Sequence, residues 1–374
     1  MHDFHAGHWM KRLGYRSFEP SKIDRLWRID NPVVQEALSK ADRQLGRLDM
    51  FSEYIPNLDL FIQMHVTKEA TKSSRIEDTR TEIEEAILPE EEIALERRDD
   101  WTEVNNYILA MRKGREALER LPFSNRVLRE AHATLMQGVR GKEKMPGEFR
   151  SSQNWIGGSN PGNARFVPPS HENVPELMGD LETFAHNAEL HLPPLLRVAI
   201  MHYQFETIHP FLDGNGRIGR LMIPLYLIAS GILKQPVLYL SDYLERHREE
   251  YYERLNRVRD HHDIASWLHF FLDGISETAA KGVETFDRIL QLKQHWEKEI
   301  TSWKPKTPHG MKLLPHLFTH PWVNAGQVAS VCDVSPGTAY SLIERFVASG
   351  ILKEITGAKR GKLYLFAPYL RLFH

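Results

Sequence analysis

Two side chains between His209 and Arg220 could take part directly in phosphoryl or nucleotidyl transfer. The segment reads His-Pro-Phe-Leu-Asp-Gly-Asn-Gly-Arg-Ile-Gly-Arg. The imidazole of His209 has an ordinary pKa of about 6.5, so its neutral form can take a proton from an incoming hydroxyl. Asp213 offers a carboxylate oxygen, the ligand type that Mg²⁺ prefers, where a bound phosphate could share the ion.

The same segment contains the groups needed to hold a polyphosphate. Gly214 and Gly216 allow the backbone to curl, so that consecutive N–H groups point into one concavity at a helix start. Arg217 and Arg220 are three residues apart on that helix, so both guanidinium groups reach one side. A tight helix–loop–helix explains the glycines but not this combination. The segment lacks the Lys-Ser/Thr ending of a P-loop, which disfavours a Walker-type NTPase.

The segment resembles the signature of the Fic family, HPF-x-[DE]-GNGR-x-x-R. The positions that match are His209, Pro210, Phe211, Asp213, Gly214, Asn215, Gly216, Arg217 and Arg220. The resemblance implies a helical core that transfers AMP from ATP to a protein hydroxyl and releases pyrophosphate. Fic relatives that act as kinases depart from the signature around the GNGR glycines. This chain does not, which favours adenylylation over phosphorylation.

The resemblance also implies a role for each motif residue. His209 would deprotonate the target side chain, Asp213 would position Mg²⁺ on the α- and β-phosphates, and Asn215 would hold the α-phosphate. Arg217 and Arg220 would bind the β- and γ-phosphates, and the motif glycines would supply backbone donors. The ATP site implied within the motif comprises Gly214, Asn215, Gly216, Arg217, Ile218, Gly219 and Arg220.

A glycine-rich stretch before the motif resembles the flap of the family. It runs over 150–158 and 164–169 and includes Asn154, Trp155, Ile156 and Gly157. In the family this hairpin lies over the active site and pairs with an extended target segment, which is β-augmentation. A glycine-stiffened surface loop is the alternative interpretation.

Downstream of the motif, residues 238–252 resemble the family segment that closes the nucleotide pocket. Tyr251 is a candidate contact with the adenosine part of ATP, and Tyr243 is a weaker one. Aromatic residues at helical spacing are more often core residues than ligand contacts. The scattered His186, His191, His202 and Glu206 lack a coherent metal-ligand spacing, so we expect them in the core or in solvent.

Residues 73–78 resemble the inhibitory motif of the family, [ST]-x-x-x-E-[GN]. Ser73 and Glu77 match, whereas Asp78 replaces the expected Gly or Asn. The resemblance implies that Glu77 pairs with Arg220 and takes the space of the γ-phosphate. A carboxylate that neutralises the clamp would compete with ATP. An ordinary solvated helix is the alternative.

The C-terminal residues resemble a winged helix. The pattern predicts helices over 324–329 and 336–349, a turn at 333–336, strands at 350–352 and 363–366, and a basic wing tip at 359–362. Such a wing could contact a DNA backbone. The second helix carries Arg345 as its one cation, beside Glu344, so dimerisation or another protein contact is the alternative.

Helical patterns dominate the elements that must position these residues. Apolar spacing predicts helices over 30–60, 100–118, 124–137, 173–208, from about 216, and over 241–259, 264–271 and 276–302. Residues 138–171 predict a hairpin or an ordered loop. The predicted fold class is mainly α, a helical Fic core with a β-hairpin flap and a small C-terminal winged helix. The expected regions are 1–110 with the inhibitory helix, 111–275 as catalytic core, 276–303 as linker helix and 304–374 as winged helix.

Composition restricts the cellular setting and the partners. The 374 residues carry a net charge of −2 and one cysteine, Cys332, which excludes a disulfide framework and a multi-cysteine zinc site. Residues 304–374 contain nine basic and three acidic residues, so the near-neutral total conceals a basic tail. The first residues lack a signal-peptide pattern, and no apolar run is long enough to cross a bilayer. We therefore expect a soluble cytoplasmic protein without a membrane partner.

Two other classes of function stay open at this stage. One is a DNA-binding transcription regulator whose core senses nucleotide, and the other is a Fic-type kinase or an AMP-removing hydrolase. The adenylyltransferase hypothesis requires ATP, Mg²⁺ and a target protein with a Ser, Thr or Tyr hydroxyl. Self-modification, DNA binding and a homodimer are additional expectations. The sequence does not name the target or the signal that relieves inhibition.

Overall fold

A computed structural model of the chain describes residues 4–54, 59–138, 143–357 and 361–373. This part is mainly helical, with two small antiparallel sheets. The helices are α1 (Pro32–Tyr54), α2 (Asp59–Ile76), α3 (Ile83–Ala86), α4 (Arg98–Leu118), α5 (Asn125–Leu135), α6 (Val174–His186), α7 (Pro194–Ile208), α8 (Asn215–Ala229), α9 (Ser241–Arg246), α10 (Arg248–His261), α11 (Ile264–Thr301), α12 (Thr307–Thr319), α13 (Ala325–Cys332), α14 (Pro336–Ala348) and α15 (Ala367–Leu370). Single 3₁₀ turns lie at Glu90–Glu92, Leu95–Arg97, His171–Asn173, Ala188–Leu190 and Arg371–Phe373. The strands are β1 (Gly7–Lys11), β2 (Arg16–Pro20), β3 (Trp322–Val323), β4 (Lys353–Glu354) and β5 (Tyr364–Leu365).

The core is built around α7 and α8, the two helices on either side of the His209–Arg220 motif. Every residue of α7 after Pro194 is buried, and most of α8 is buried too. Helix α1 packs along α11, and the predicted apolar stripe of α1 is buried as expected: Val34, Ala37, Leu38, Ala41, Leu45 and Leu48. Residues 55–58 of the predicted helix lie outside the described part.

Helix α11 corrects one sequence prediction. The aromatic segment 264–271 and the polar segment 276–302 are one helix of 38 residues. Gly274 lies inside this helix, and the Tyr243 ring packs against it, since a Cβ there would lie 2.7 Å from Tyr243 Cδ1. The expected boundary between 275 and 276 therefore falls inside a continuous helix.

Three other predicted elements have different bounds. Residues 241–259 form two helices, α9 and α10, and the segment 173–208 is interrupted between α6 and α7. The flap contains a single antiparallel bridge, between Ile156 and Phe166, instead of a regular hairpin. Several glycines and prolines in this segment leave few residues that can extend a ladder.

The N-terminal hairpin β1–β2 was not predicted from the sequence. Its strands pair with Trp9 opposite Phe18, and the Phe18 N–H donates to the Val167 carbonyl at 2.9 Å. The Trp9, Phe18 and Phe166 rings pack edge to face or tilted. The hairpin therefore forms the support on which the flap rests.

The C-terminal helices lie close to their predicted places. Asn324 and Gln327 form a capping box at the start of α13, and the Ser335 side chain caps α14. The sheet order is β3-β5-β4, and the strand predicted at 350–352 begins at Lys353 instead. Of the predicted wing tip, residues 359–360 lie outside the described residues.

Within the described ranges, no helix combines the length and apolar character that would be needed to span a membrane.

Candidate active site

The conformation of the loop between α7 and α8 is set by a left-handed residue at each end and by the Asn215 side chain. His209 ends α7 with φ +51°, and Gly214 precedes α8 with φ +73°. The Asn215 amide accepts from the Phe211 N–H and donates to the Phe211 carbonyl, both at 2.8 Å. The side chain that the resemblance assigns to the α-phosphate is therefore bonded at both ends and braces the loop.

Two flap residues brace the same loop from outside. Arg150 Nε donates to the His209 carbonyl at 2.9 Å, and Arg150 Nη2 donates to the Pro169 carbonyl at 2.6 Å. Asn154 Nδ2 donates to the Phe211 carbonyl at 2.9 Å. The start of the flap and the catalytic loop are thus joined by buried hydrogen bonds.

A buried histidine on α5 supports the other side of the loop. His132 Nε2 lies 3.0 Å from the Asp213 carbonyl, and His132 Nδ1 accepts from the Gly147 N–H at 2.8 Å. The His132 ring also stacks on Phe211, with centroids 3.8 Å apart. Burial lowers the pKa of His132 to about 4, so the ring is neutral at neutral pH.

The His209 ring has the protonation state that a general base needs. Burial and the nearby Arg150 guanidinium lower the pKa of His209 to about 4. The imidazole is therefore neutral at pH 7. Its Nδ1 atom is buried and has no hydrogen-bond partner among the described residues.

The first turn of α8 offers an anion site beside this base. The backbone N–H groups of Asn215, Gly216 and Arg217 belong to the first turn of a helix of 15 residues, where the helix supplies no acceptor. These groups and the positive end of the helix dipole favour phosphate. Gly214 donates its own N–H to Asp213 Oδ1 at 2.6 Å.

Asp213 lies at the solvent-facing edge of this site. Its side chain is 47% exposed, and Oδ1 is 3.9 Å from Arg217 Nη2. Across the described ranges, no group of three or more His, Cys, Asp or Glu residues could hold a metal ion. One accessible carboxylate beside a phosphate site fits Mg²⁺, which commonly binds one or two carboxylates together with substrate phosphates.

Arg220 is almost completely enclosed by α2 and the turn that follows it. Its Nε donates to Ser73 Oγ at 2.8 Å, and its Nη2 donates to the Ser73 carbonyl at 2.9 Å and to Glu77 Oε1 at 2.8 Å. The Arg220 side chain is 1% exposed. Burial by itself would raise the pKa of Glu77, but the charge and hydrogen bond of Arg220, together with Arg217, lower that pKa below its ordinary value. Glu77 is therefore ionised at neutral pH.

The turn that carries Glu77 uses Asp78 in the position where the family has Gly or Asn. Asp78 has φ +67°, the left-handed region that favours glycine and tolerates Asn and Asp. The departure from the motif therefore leaves the helix end intact. Asp78 Oδ1 also accepts from Arg248 Nη1 at 3.1 Å.

The remaining predicted ATP contacts are buried. Ile218 is fully buried, and a Cβ on Gly219 would overlap the Glu206 carboxyl. Tyr251 is 1% exposed, and its hydroxyl lies 3.0 Å from His202 Nε2. Tyr243 is also buried.

The neighbouring Tyr252 has a different environment. Tyr252 is 38% exposed, and burial of the rest of the residue and the nearby Glu77 carboxylate raise its pKa despite the nearby Arg220. It lines an open groove of about 590 Å³ together with Arg165, Glu249 and Asn256.

The flap places its own predicted residues around the loop. Ile156 pairs with Phe166, Gly157 has φ +69°, and the Trp155 side chain is 39% exposed. Asn154 is buried against the loop. In this flap, Trp155 is the large apolar side chain that faces solvent.

Two family models match consecutive parts of the chain. The model described as Fic/DOC family N-terminal matches residues 35–116, and the model described as Fic/DOC family matches residues 122–227. Together they cover half of the chain and include both Glu77 and the complete motif.

The chain belongs to the Fic/DOC family.

Fic relatives with curated names are similar over part of their length. The protein adenylyltransferase Fic of Aedes aegypti is 34% identical over 133 residues, which are 35% of this chain and 24% of that protein. The protein adenylyltransferase Fic of Drosophila virilis is 30% identical over 184 residues, which are 48% of this chain and 34% of that protein. The matched region thus spans a quarter to a third of these relatives.

Solved Fic structures share the fold. A Fic family protein from Desulfovibrio desulfuricans G20 superposes with a TM-score of 0.58 and 20% identity, covering 91% of this chain and 98% of that one. Residues 134–508 of Fic-1 from C. elegans superpose with a TM-score of 0.53 and 22% identity, covering 70% of this chain and 75% of that one. At these identities the likeness concerns the fold.

The sequence analysis gave no individual role to four residues around the Fic motif: His132, Arg150, Glu103 and Tyr252. His132 and Glu103 reach the motif from distant helices without a local pattern that marks them, and Arg150 reaches it from the predicted flap. Tyr252 could have been found from helix phase, because adjacent positions on a helix face directions about 100° apart. Because of this rotation, Tyr251 is buried whereas Tyr252 is partly exposed.

Proposed function

We propose that this Fic protein is a protein adenylyltransferase that transfers AMP from ATP to a hydroxyl side chain. The observation that carries the proposal is the position of one carboxylate. Glu77 bonds Arg220, and its Oε1 atom lies against the backbone of Gly216 at the start of α8. A negatively charged group at that place is therefore held by Arg220 and the start of α8, as a triphosphate would be.

The reaction follows from the chemistry of these groups. The neutral His209 imidazole takes the proton of the target hydroxyl as the hydroxyl oxygen attacks the α-phosphorus. The bond between the α-phosphorus and the bridging oxygen to the β-phosphate breaks, and pyrophosphate leaves. Arg217, Arg220 and the first-turn N–H groups stabilise the charge on the phosphates.

Asp213 is the residue that would hold Mg²⁺ in this reaction. The bound ion would neutralise phosphate charge. Asp213 is accessible and lies near Arg217, which supports this assignment. For the nucleoside we propose Tyr252 in place of Tyr251, because Tyr252 presents an accessible ring near Arg220.

The protein substrate would bind at the flap. With Ile156 paired to Phe166, the backbone groups of Trp155 and Gly157 alternate to the opposite edge, where an extended segment of a target protein could bond. A segment of another copy of the chain would fit the same edge, which makes self-modification part of the proposal.

Glu77 would inhibit the resting enzyme. It occupies the arginine that the γ-phosphate needs, and Ser73 helps to hold that arginine. Because ATP is supplied inside cells, we place the reaction in the cytoplasm.

The C-terminal module would be a winged helix used for protein contact. Helix α14 exposes Tyr340 (51%) and Val347 (39%), and the guanidinium of Arg345 lies 5.3 Å from the Trp303 ring centroid. These features favour binding of a second copy of the chain over binding of DNA. Both interactions can be tested. Sedimentation at rising protein concentration would reveal a homodimer, and a gel shift with random duplex DNA would reveal DNA binding.

The proposed reaction is tested by radiolabelled ATP. Wild-type protein and the Glu77→Gly variant are incubated with Mg²⁺ and a lysate, using either α-³²P-ATP or γ-³²P-ATP. Label from α-³²P-ATP on a band that is absent when this protein is omitted supports AMP transfer. Label from γ-³²P-ATP on such a band would show a kinase, and AMP released from a modified protein would show a hydrolase.

A further inference from the structure

Glu103 on α4 is bonded to the motif from outside it. Glu103 Oε2 accepts from Arg217 Nη1 at 3.1 Å and from Thr79 Oγ1 at 3.3 Å. The side chains of Arg217 and Glu103 are 6% and 13% exposed, respectively. A charge-assisted bond this well shielded from water orients a guanidinium far more strongly than a surface ion pair.

The two motif arginines are held in different ways. Arg220 donates from Nε to Ser73 and from Nη2 to Glu77. Helix α2 and the turn after it therefore engage two of its three side-chain nitrogens. Arg217 uses Nη1 on Glu103, while its Nε is buried without a partner among the described residues. Its Nη2 points toward Asp213 at 3.9 Å. The side of Arg217 that faces the proposed phosphate site therefore keeps unused donors.

We propose that Glu103 is a positioning residue that holds Arg217 ready for the triphosphate. This inference rests on the proposed function, because it assigns Arg217 to ATP. Glu103 fixes one end of the guanidinium and leaves the other end beside Asp213 for phosphate. The opposite role, a second inhibitory carboxylate, would require Glu103 to compete with phosphate for the same donors.

The test uses the full chain with Glu77→Gly as the parent, so that inhibition does not mask the effect. Glu103→Gln is compared with Glu103→Asp, and with Glu116→Gln on the exposed side of the same helix as the matched control. Equilibrium binding of ATP with Mg²⁺ is measured alongside kcat and KM. We expect Glu103→Gln to weaken ATP binding about tenfold, or about 1.4 kcal/mol, with a higher KM and a nearly unchanged kcat.

A double-mutant cycle separates positioning from a merely structural effect. In the Arg217→Ala background, Glu103→Gln should cause no further loss of ATP binding, because Glu103 acts through Arg217. Partial recovery by Glu103→Asp supports the proposal. Unchanged or tighter ATP binding in Glu103→Gln would overturn it, even if the parent transfers AMP. A parent that does not bind ATP would overturn both the inference and the proposed function.

Discussion

A methyl group on Gly216 would overlap the Oε1 atom of Glu77. The Glu77 carboxylate therefore lies against the backbone at the start of α8, in addition to its bond with Arg220. Glu77 thus occupies both the helix-terminus anion site and the guanidinium that a triphosphate would use. A side chain at position 216 would therefore displace the Glu77 carboxylate or the Arg220 guanidinium.

Glu77→Gly should raise AMP transfer. The variant frees Arg220 and the first turn of α8 for the γ-phosphate. A lost charge-assisted hydrogen bond is worth roughly 1.5–3 kcal/mol, so we expect a gain of about ten- to a hundredfold in α-³²P incorporation. Glu77→Gln is the matched control, since it keeps the shape and removes the charge. Arg220→Ala added to Glu77→Gly should cancel the gain. A folded Glu77→Gly protein with wild-type labelling would contradict the inhibitory assignment.

His209→Ala should abolish transfer and leave ATP binding largely intact. In the proposed reaction the imidazole acts on the target hydroxyl, whereas α8 and the arginines hold the nucleotide. Calorimetric ATP binding and α-³²P transfer, both in the Glu77→Gly background, check this separation. An equal loss of binding and transfer would argue against the general-base role.

Asp213→Ala and Arg217→Ala should fail in different ways. Asp213→Ala should lower transfer and raise the Mg²⁺ concentration that transfer needs, because the accessible carboxylate would no longer hold the ion. Arg217→Ala should weaken binding of the triphosphate itself. Mg²⁺ titrations of transfer and of ATP binding distinguish them. If the Glu77→Gly protein with Asp213 intact still transferred AMP in excess EDTA, the proposed metal role would be refuted.

The pH at which the transfer rate declines on acidification should lie well below the ordinary pKa of histidine. Because the pKa of His209 is lowered to about 4, the base is neutral above that value and is lost as pH falls through it. Single-turnover transfer at saturating ATP should therefore persist at pH 5.5. If His209 is the general base, the rate should fall to half its maximum near pH 4. A midpoint near 6.5 would mean that the ring titrates as in solvent.

Asp78 should tolerate Gly and Asn but not a β-branched residue. At φ +67° a β-branched side chain is strained, so Asp78→Val should lower the free energy of unfolding by about 1–3 kcal/mol. The displaced turn should also weaken inhibition by Glu77. Asp78→Gly serves as the control and should keep inhibition, because the exposed pair with Arg248 contributes little. Denaturant unfolding and basal transfer measure both effects, and equal behaviour of the Val and Gly variants would exclude strain as the cause.

Several parts of the site could be read from the sequence because they depend on neighbours along the chain. The turn at Gly214, the start of α8 and the side shared by Arg217 and Arg220 follow from backbone geometry within a few residues. The four-residue spacing of Ser73 and Glu77 corresponds to one helical turn, and both reach Arg220. Resemblance to the Fic family supplied the pairing itself, which the spacing of 143 residues between Glu77 and Arg220 does not determine.

The supports of the site were decided by tertiary packing. Glu103 meets Arg217 across 114 residues, and Arg150 meets the His209 carbonyl across 59 residues. The N-terminal hairpin depends likewise on what packs against Phe18. Local sequence determines turns and helix faces, since these involve adjacent peptide groups. Which distant side chains satisfy a buried charge depends on how the helices pack, and no single segment contains that information.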